Sequence, residues 1–316
     1  MDIFKEFHEK GVVNKNKNNT FIALISKRKD YSKPKDFRPI SLSTFIYKII
    51  TKTLANRLRP TLASTVSENQ LAFVHGYQIT HAILMSNEEI DFWKANKTKE
   101  FVLKLDIEKA FDKPNWNFIQ YILEKKNFPI TWRNWIKGCI TNVNYSVIIN
   151  VKPQGRTKAN RGLRQGDPIF PFLFVIAMDY PSRLLIHLES IGSIRGAFFN
   201  NSYSLSHILF SDDILLFVED NDCYIKNLLM AIKLFKKALG LNVDLTKSII
   251  CPINASQIRT KEVTQGWNIP CQDLSLSCLG VTLGDNPNSK SFWSNIEIKI
   301  QKKAQQLEIL PHLQRG

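Results

Sequence analysis

The chain has 316 residues, 44% of them apolar, with 43 Lys and Arg against 28 Asp and Glu, a formal net charge of +15. That apolar share excludes a disordered tail, and the length allows one large domain or two ordinary ones. The charge exceeds what solubility needs and points to a polyanionic partner, nucleic acid or an anionic membrane.

Five widely spaced cysteines, Cys139, Cys223, Cys251, Cys271 and Cys278, form no C-x-x-C pair. The spacing argues against a zinc knuckle and a disulfide framework, and buried thiols in a reducing compartment are expected. The first 20 residues carry no apolar signal-peptide core. The longest apolar run, Ile169 to Met178, is about half a bilayer span and contains Pro171. The chain thus reads as intracellular, and nucleic acid outranks membrane as its partner. Residues 1–60 hold 14 Lys and Arg and 5 Asp and Glu. Lys27, Arg28, Lys29, Lys33, Lys35 and Arg38 fall among aromatic and strand-like residues, a pattern suited to a groove tracking phosphates.

In chain order, Asn14 to Asn19 reads as a linker and Phe21 to Ile25 as a short strand. Asp36 to Ser41 reads as a loop or extended turn, because Pro39 biases Arg38 away from helix. Thr44 is placed to cap a helix with Phe45, Ile49, Leu54 and Leu58 on its apolar face, ending at Pro60. Thr80 to Asn96 is a second helix, with Ile83, Leu84 and Ile90 apolar. Phe101 to Leu105 is a strand, Asn115 to Lys126 a helix, and Tyr145 to Val151 a β-rich stretch entering a turn at Lys152 to Gly155. Phe172 to Glu189 reads as a buried helix. Ser206 to Phe210 and Ile214 to Val218 form a hairpin tipped by Ser211, Asp212 and Asp213. Tyr224 to Leu239 is an amphipathic helix closed by Gly240. Hairpins mixed with long helices give an α+β fold, an antiparallel sheet backed by helices.

Three acids occupy costly places. Asp106 ends an apolar strand, and Asp212 and Asp213 sit together between two others. An Asp pair in a turn is ordinary turn chemistry. Joined to a strand-end Asp and a basic excess, however, it suggests hard-oxygen ligands for Mg²⁺ and phosphoryl transfer on nucleic acid.

At these residues the chain resembles the reverse transcriptase domain of plant LINE-type (non-LTR) retrotransposons. Seven blocks occur in family order: Phe21-Ile-Ala-Leu-Ile-Ser-Lys27, Phe37-Arg-Pro-Ile-Ser-Leu42, Leu103-Lys-Leu-Asp-Ile-Glu-Lys-Ala-Phe-Asp112, Arg161-Gly-Leu-Arg-Gln-Gly-Asp-Pro168, Phe210-Ser-Asp-Asp213, Gly240-Leu-Asn-Val-Asp-Leu-Thr-Lys-Ser248 and Leu279-Gly-Val-Thr-Leu283. The resemblance implies a right-hand polymerase whose fingers and palm span residues 21–285. A basic segment (1–20) precedes them. A short helical segment (286–316) follows, in place of a full thumb, as expected of a truncated copy.

The resemblance further implies two Mg²⁺ ions, with Mn²⁺ as an alternative, held by Asp106, Asp212, Asp213 and the Ile107 carbonyl. Lys247 matches a lysine near the leaving pyrophosphate, a general acid. Phe111 matches an aromatic gate against the ribose 2′-OH. Lys27, Arg38, Arg164, Gln165 and Gly166 match positions meeting template or incoming nucleotide. The implied partners are an RNA template, a DNA primer and dNTPs, and the implied compartment is the nucleus. The chain departs from the pattern at Ser26, Tyr77, Pro114, Phe170 and Ser211, as a drifting copy would. The competing readings are a nucleic-acid-binding remnant without catalysis and a metal nuclease.

Overall fold

The structure, a computed structural model, describes residues 2–13, 18–27, 30–199, 203–285 and 289–313. Arg28 and Lys29 of the basic run lie outside the described residues. So do 14–17 of the linker, and 286–288 and 314–316 of the C-terminal segment.

The chain opens with helix α1 (Asp2–Lys10), followed by β1 (Asn19–Ser26) and β2 (Phe37–Ser43). Helices α2 (Phe45–Leu58), α3 (Leu62–Thr65) and α4 (Ile79–Asn96) lead to β3 (Glu100–Glu108). Then come α5 (Trp116–Lys125), α6 (Ile130–Ile140), the hairpin β4 (Asn144–Ile149) and β5 (Lys152–Lys158), and α7 (Phe170–Ser190). Short strands β6 (Ala197–Phe199) and β7 (Tyr203–Leu205) precede the hairpin β8 (His207–Phe210) and β9 (Asp213–Glu219). The remainder is α8 (Asp222–Leu239), β10 (Asn242–Val243), β11 (Ile249–Ile253), α9 (Gln257–Trp267), β12 (Leu276–Cys278), β13 (Val281–Leu283) and α10 (Lys290–Leu313). Among the described residues no helix is long and apolar enough to cross a membrane.

Two sheets organise the molecule. The first has the order β2-β1-β4-β5, with β1 and β4 parallel. The second has the order β10-β3-β9-β8, and β11 also pairs with β3. The α+β expectation is met. In the second sheet the two-residue period divides side chains between two cores. Phe101, Leu103, Leu105 and Ile107 of β3 join Ile214, Leu216 and Val218 of β9 in the main core with α5, α7 and α8. Val102 joins Leu215 and Phe217 on the opposite face, beneath Ile90 and Trp93 of α4. Lys104, Asp106 and Asp213 share the parity of Val102 and Leu215, and therefore that second face, at the end opposite Val102 and Phe217.

Several sequence expectations need correction. Asp36 to Ser41 is not a loop: Pro34–Asp36 is a single 3₁₀ turn, and Phe37 starts β2. Pro39 is tolerated because β2 is an edge strand, where a missing N–H breaks no ladder. Thr44 does cap α2, accepting the Tyr47 N–H at 3.4 Å. The helix is phased differently, however. Tyr47, Ile50, Leu54 and Leu58 are buried, whereas Phe45 is 78% exposed and Ile49 faces out. The inward set follows the 3-4 spacing of one helical face. Leu84 of α4 is likewise exposed. The turn expected at Lys152 to Gly155 sits at Asn150 and Val151, both at positive φ, and Lys152 already lies in β5. The α8 expectation holds, with Gly240 in the left-handed conformation at its end. In the N-terminal segment, Phe7 and Val13 belong to the main core.

Candidate active site

The acids meet at one end of the second sheet. Asp106 on β3 and Asp213 on β9 are cross-strand partners. Phe210 pairs with Asp213, so Ser211 and Asp212 form a two-residue hairpin turn. Ser211 takes φ 60°, and a small polar residue suits that left-handed position. Asp212 projects into solvent at the tip, and Asp106 and Asp213 are half-buried. Burial raises the Asp213 carboxyl above its ordinary value, Lys104 opposes the shift, and Asp212 and Asp106 add to it. That mutual repulsion is what a bound cation would relieve.

Two ammonium groups stand among these acids. Lys104 Nζ lies 4.0 Å from Asp213 Oδ1, and Lys247 Nζ lies 3.5 Å from Asp106 Oδ2. Among the described residues, no three His, Cys, Asp or Glu side chains close around an ion position. The donor chemistry nevertheless fits a hard divalent cation: the acids are carboxylates at one solvent-facing edge.

Lys247 is shared. Its Nζ lies 2.8 Å from Asp244 Oδ2, and the side chain is 65% exposed. The bond to Asp244 raises the Lys247 pKa, and in return pulls the Asp244 carboxyl down to about 2. Ile107 buries its side chain opposite Val243.

The glycine-rich loop is fastened to the chain that follows β3. Leu163 N–H donates to the Phe111 carbonyl at 2.6 Å, and Gly162 N–H to that of Pro114 at 2.9 Å. Trp116 Nε1 donates to the Gly162 carbonyl at 2.7 Å. Gly162 has φ 87°, and a Cβ there would stand 2.4 Å from the Asp112 carbonyl oxygen. Only glycine allows this approach. The Phe111 ring is half-buried against Phe174 of α7, with centroids 4.9 Å apart. Phe170, one of the departures from the family pattern, is a core residue.

Gln165 and Gly166 sit beside the first sheet. The Gln165 carbonyl accepts the Ser41 N–H at 2.9 Å, and Gly166 is exposed at φ 98° next to Ile40. Arg164 requires a correction. It is 2% exposed, donates to the Asn18 side chain, and lies over the Tyr47 ring with 4.1 Å to its centroid. A guanidinium so enclosed does not reach a nucleotide. It fixes the loop from inside, facing the buried Asp167. Lys27 and Arg38 are exposed at the far end of β1 and β2. The charges of Lys27, Lys109 and Lys113 all act on Asp112. Tyr77 is exposed and packs edge-on against His81.

Sequence reasoning missed Lys104, Asp244, Ser248 and Asn18. Lys104 was findable, since two residues along a strand return to the same face.

Together, a carboxylate-tipped hairpin beside Asp106 in the second sheet, with the first sheet joined to it by a glycine loop, define the palm and fingers of a polymerase-type fold. The same architecture occurs in telomerase from Candida tropicalis in complex with a fragment of telomeric RNA. The two match with a TM-score of 0.60 at 13% identity, over 92% of this chain and 48% of that one. The chain belongs to the reverse transcriptase (RNA-dependent DNA polymerase) family, which it matches over residues 25–283. It is 28% identical over 236 residues to the Pol polyprotein of the type-1 retrotransposable element R2 from Popillia japonica, covering 74% of this chain and 32% of that protein. To the 149 kDa protein of transposon TX1 from Xenopus laevis it is 24% identical over 220 residues, 69% of this chain and 16% of that protein. A mitochondrial protein of Arabidopsis thaliana is 43% identical over 67 residues, 21% of this chain and 55% of that protein. The chain spans about a third of the R2 polyprotein. Reverse transcriptases as a family use divalent metal ions.

Proposed function

We propose that the chain is an RNA-directed DNA polymerase core that extends a DNA primer with dNTPs on an RNA template. The observation that carries this reading is the cross-strand pair Asp106–Asp213, with Asp212 in the adjoining turn, in a chain of this family. Asp106 and Asp212, helped by Asp213 and the Ile107 carbonyl, would hold two Mg²⁺ ions, with Mn²⁺ as an alternative. Bound there, the ions supply activation of the primer 3′-OH and charge neutralisation at the transferred phosphate.

The chain's own residues do the rest. Phe111, braced by Phe174, excludes a ribose 2′-OH. Gln165 and Gly166 present a polar side chain and open main chain to the base pair. Lys27 and Arg38 offer positive charge to triphosphate or template. Lys247 holds a proton within reach of the leaving group. Arg164 acts only through the loop it anchors. The R2 and TX1 matches support a retrotransposon origin, and the short Arabidopsis match supports a plant source. Asp212→Ala, at an exposed turn, should leave the fold intact and abolish primer extension on RNA. Extension by that variant at the wild-type rate would sink the assignment.

A further inference from the structure

We propose that Asp244 is a positioning residue that keeps the Lys247 ammonium at the acidic edge when Asp106 takes up a cation. The inference rests on the polymerase reading and adds a residue to it.

The topology places the residue. β10 and β11 pair with β3 at Ile107–Glu108 and Glu100–Lys104 respectively. Residues 244–248 bridge the gap between them, opposite Leu105 and Asp106. The bridge is fastened to the main chain of Asp106 at both its polar groups. Asp244 N–H donates to the Asp106 carbonyl at 2.8 Å, and Asp106 N–H donates to Ser248 Oγ at 3.1 Å. The buried Ser248 hydroxyl then donates to the Asp244 carbonyl at 2.8 Å. A shift of this bridge would therefore shift Asp106.

Within the bridge the two oxygens of Asp244 divide their tasks. Oδ1 accepts the Thr246 N–H at 3.2 Å and its hydroxyl at 2.7 Å, a local turn. Oδ2 takes Lys247 Nζ at 2.8 Å, closer than the 3.5 Å from that ammonium to Asp106. A cation on Asp106 would repel Lys247 and cancel the longer contact. Lys247 is largely solvated, so its stem packing alone would not retain it. Asp244 remains as its partner, and the ammonium stays beside the site.

The test is Mn²⁺ binding to the full chain, followed by the electron paramagnetic resonance of free Mn²⁺. Asp244→Asn retains the acceptor for Thr246 and removes the charge. Lys247 then leans on Asp106 alone and competes with the ion. Mn²⁺ affinity should fall about two- to fivefold, the scale of one partly exposed ion pair. Lys247→Ala should raise the affinity. The double variant should bind as Lys247→Ala does, because the effect of Asp244 passes through the lysine. Asp244→Glu should recover part of the wild-type affinity. If Asp244→Asn weakens binding equally with and without Lys247, the tether is wrong and Asp244 acts on the ion or the turn directly. That outcome leaves the polymerase reading standing, whereas extension by Asp212→Ala would remove the reading itself.

Discussion

Two of the acidic centres among the described residues are built in opposite ways. Asp179 on α7 is fully buried, and every oxygen is used. Oδ1 accepts the Ser67 N–H at 2.6 Å, and Oδ2 takes Lys126 and, at 2.5 Å, Arg183 Nε. Beside it Ser67, Ser182 and His207 form a hydrogen-bonded row. Burial holds His207 down to about 3, so the ring is neutral there. At the palm edge, Asp106, Asp212 and Asp213 are exposed or half-buried, repel one another, and meet ammonium groups only at 3.5 and 4.0 Å. The Asp179 carboxylate is saturated by the protein, whereas the three acids of the edge are left short of partners, which a cation could complete.

Four substitutions and one control sharpen this contrast, the four taken from the largest expected change in stability to the smallest. Asp179→Ala strands the Lys126 charge and should cost about 3–5 kcal/mol in denaturant unfolding. An unchanged midpoint would mean that the buried centre is not structural. Gly162→Ala forces a Cβ onto the Asp112 carbonyl at φ 87° and should cost about 1–3 kcal/mol. Gly155→Ala, also at positive φ but with nothing within 4 Å, should cost less, so equal losses would show that the loop does not press on the turn at Asp112 that follows β3.

The third substitution concerns pH. Glu89 is fully buried and both its carboxylate oxygens lack partners, and burial raises its pKa to about 8. The folded state then binds more protons than the unfolded state between about pH 4.5 and 8, so stability falls as pH rises through that window. Glu89→Gln should flatten that fall and be the more stable protein at pH 8, which thermal melts at pH 5 and 8 would show. A wild-type melt that does not drop across the window contradicts the assignment. The smallest effect belongs to the palm edge: Asp106→Asn loses a long contact with Lys247 but relieves repulsion with Asp213. Its stability should stay within about 0.5 kcal/mol of wild type.

Much of this site was legible in the sequence. Asp106 at the end of an apolar strand, and Asp212 and Asp213 between two others, were found by position and then meet in space. Chain-wide pairing was not legible. Asn242 and Val243 form a two-residue strand too short to show a period, yet they set the bridge that holds Asp106. The phase of α2 was ambiguous because Phe45–Ile49 and Tyr47–Ile50 both fit a helical face. The neighbouring Cys139 carbonyl, which accepts the Tyr47 hydroxyl at 3.1 Å, is among the contacts of the inward face. Arg164 was misplaced because an arginine in a glycine loop reads as solvated, and its partners Asn18 and Tyr47 lie more than a hundred residues away.

The most direct measurement is single-nucleotide extension of a DNA primer on an RNA template in Mg²⁺, comparing wild type with Asp106→Asn at matched folded concentration. Incorporation by wild type and none by the variant, with superimposable melting curves, is the predicted result. Equal incorporation by both proteins, or none by either, would contradict the claim that this edge is a working polymerase centre.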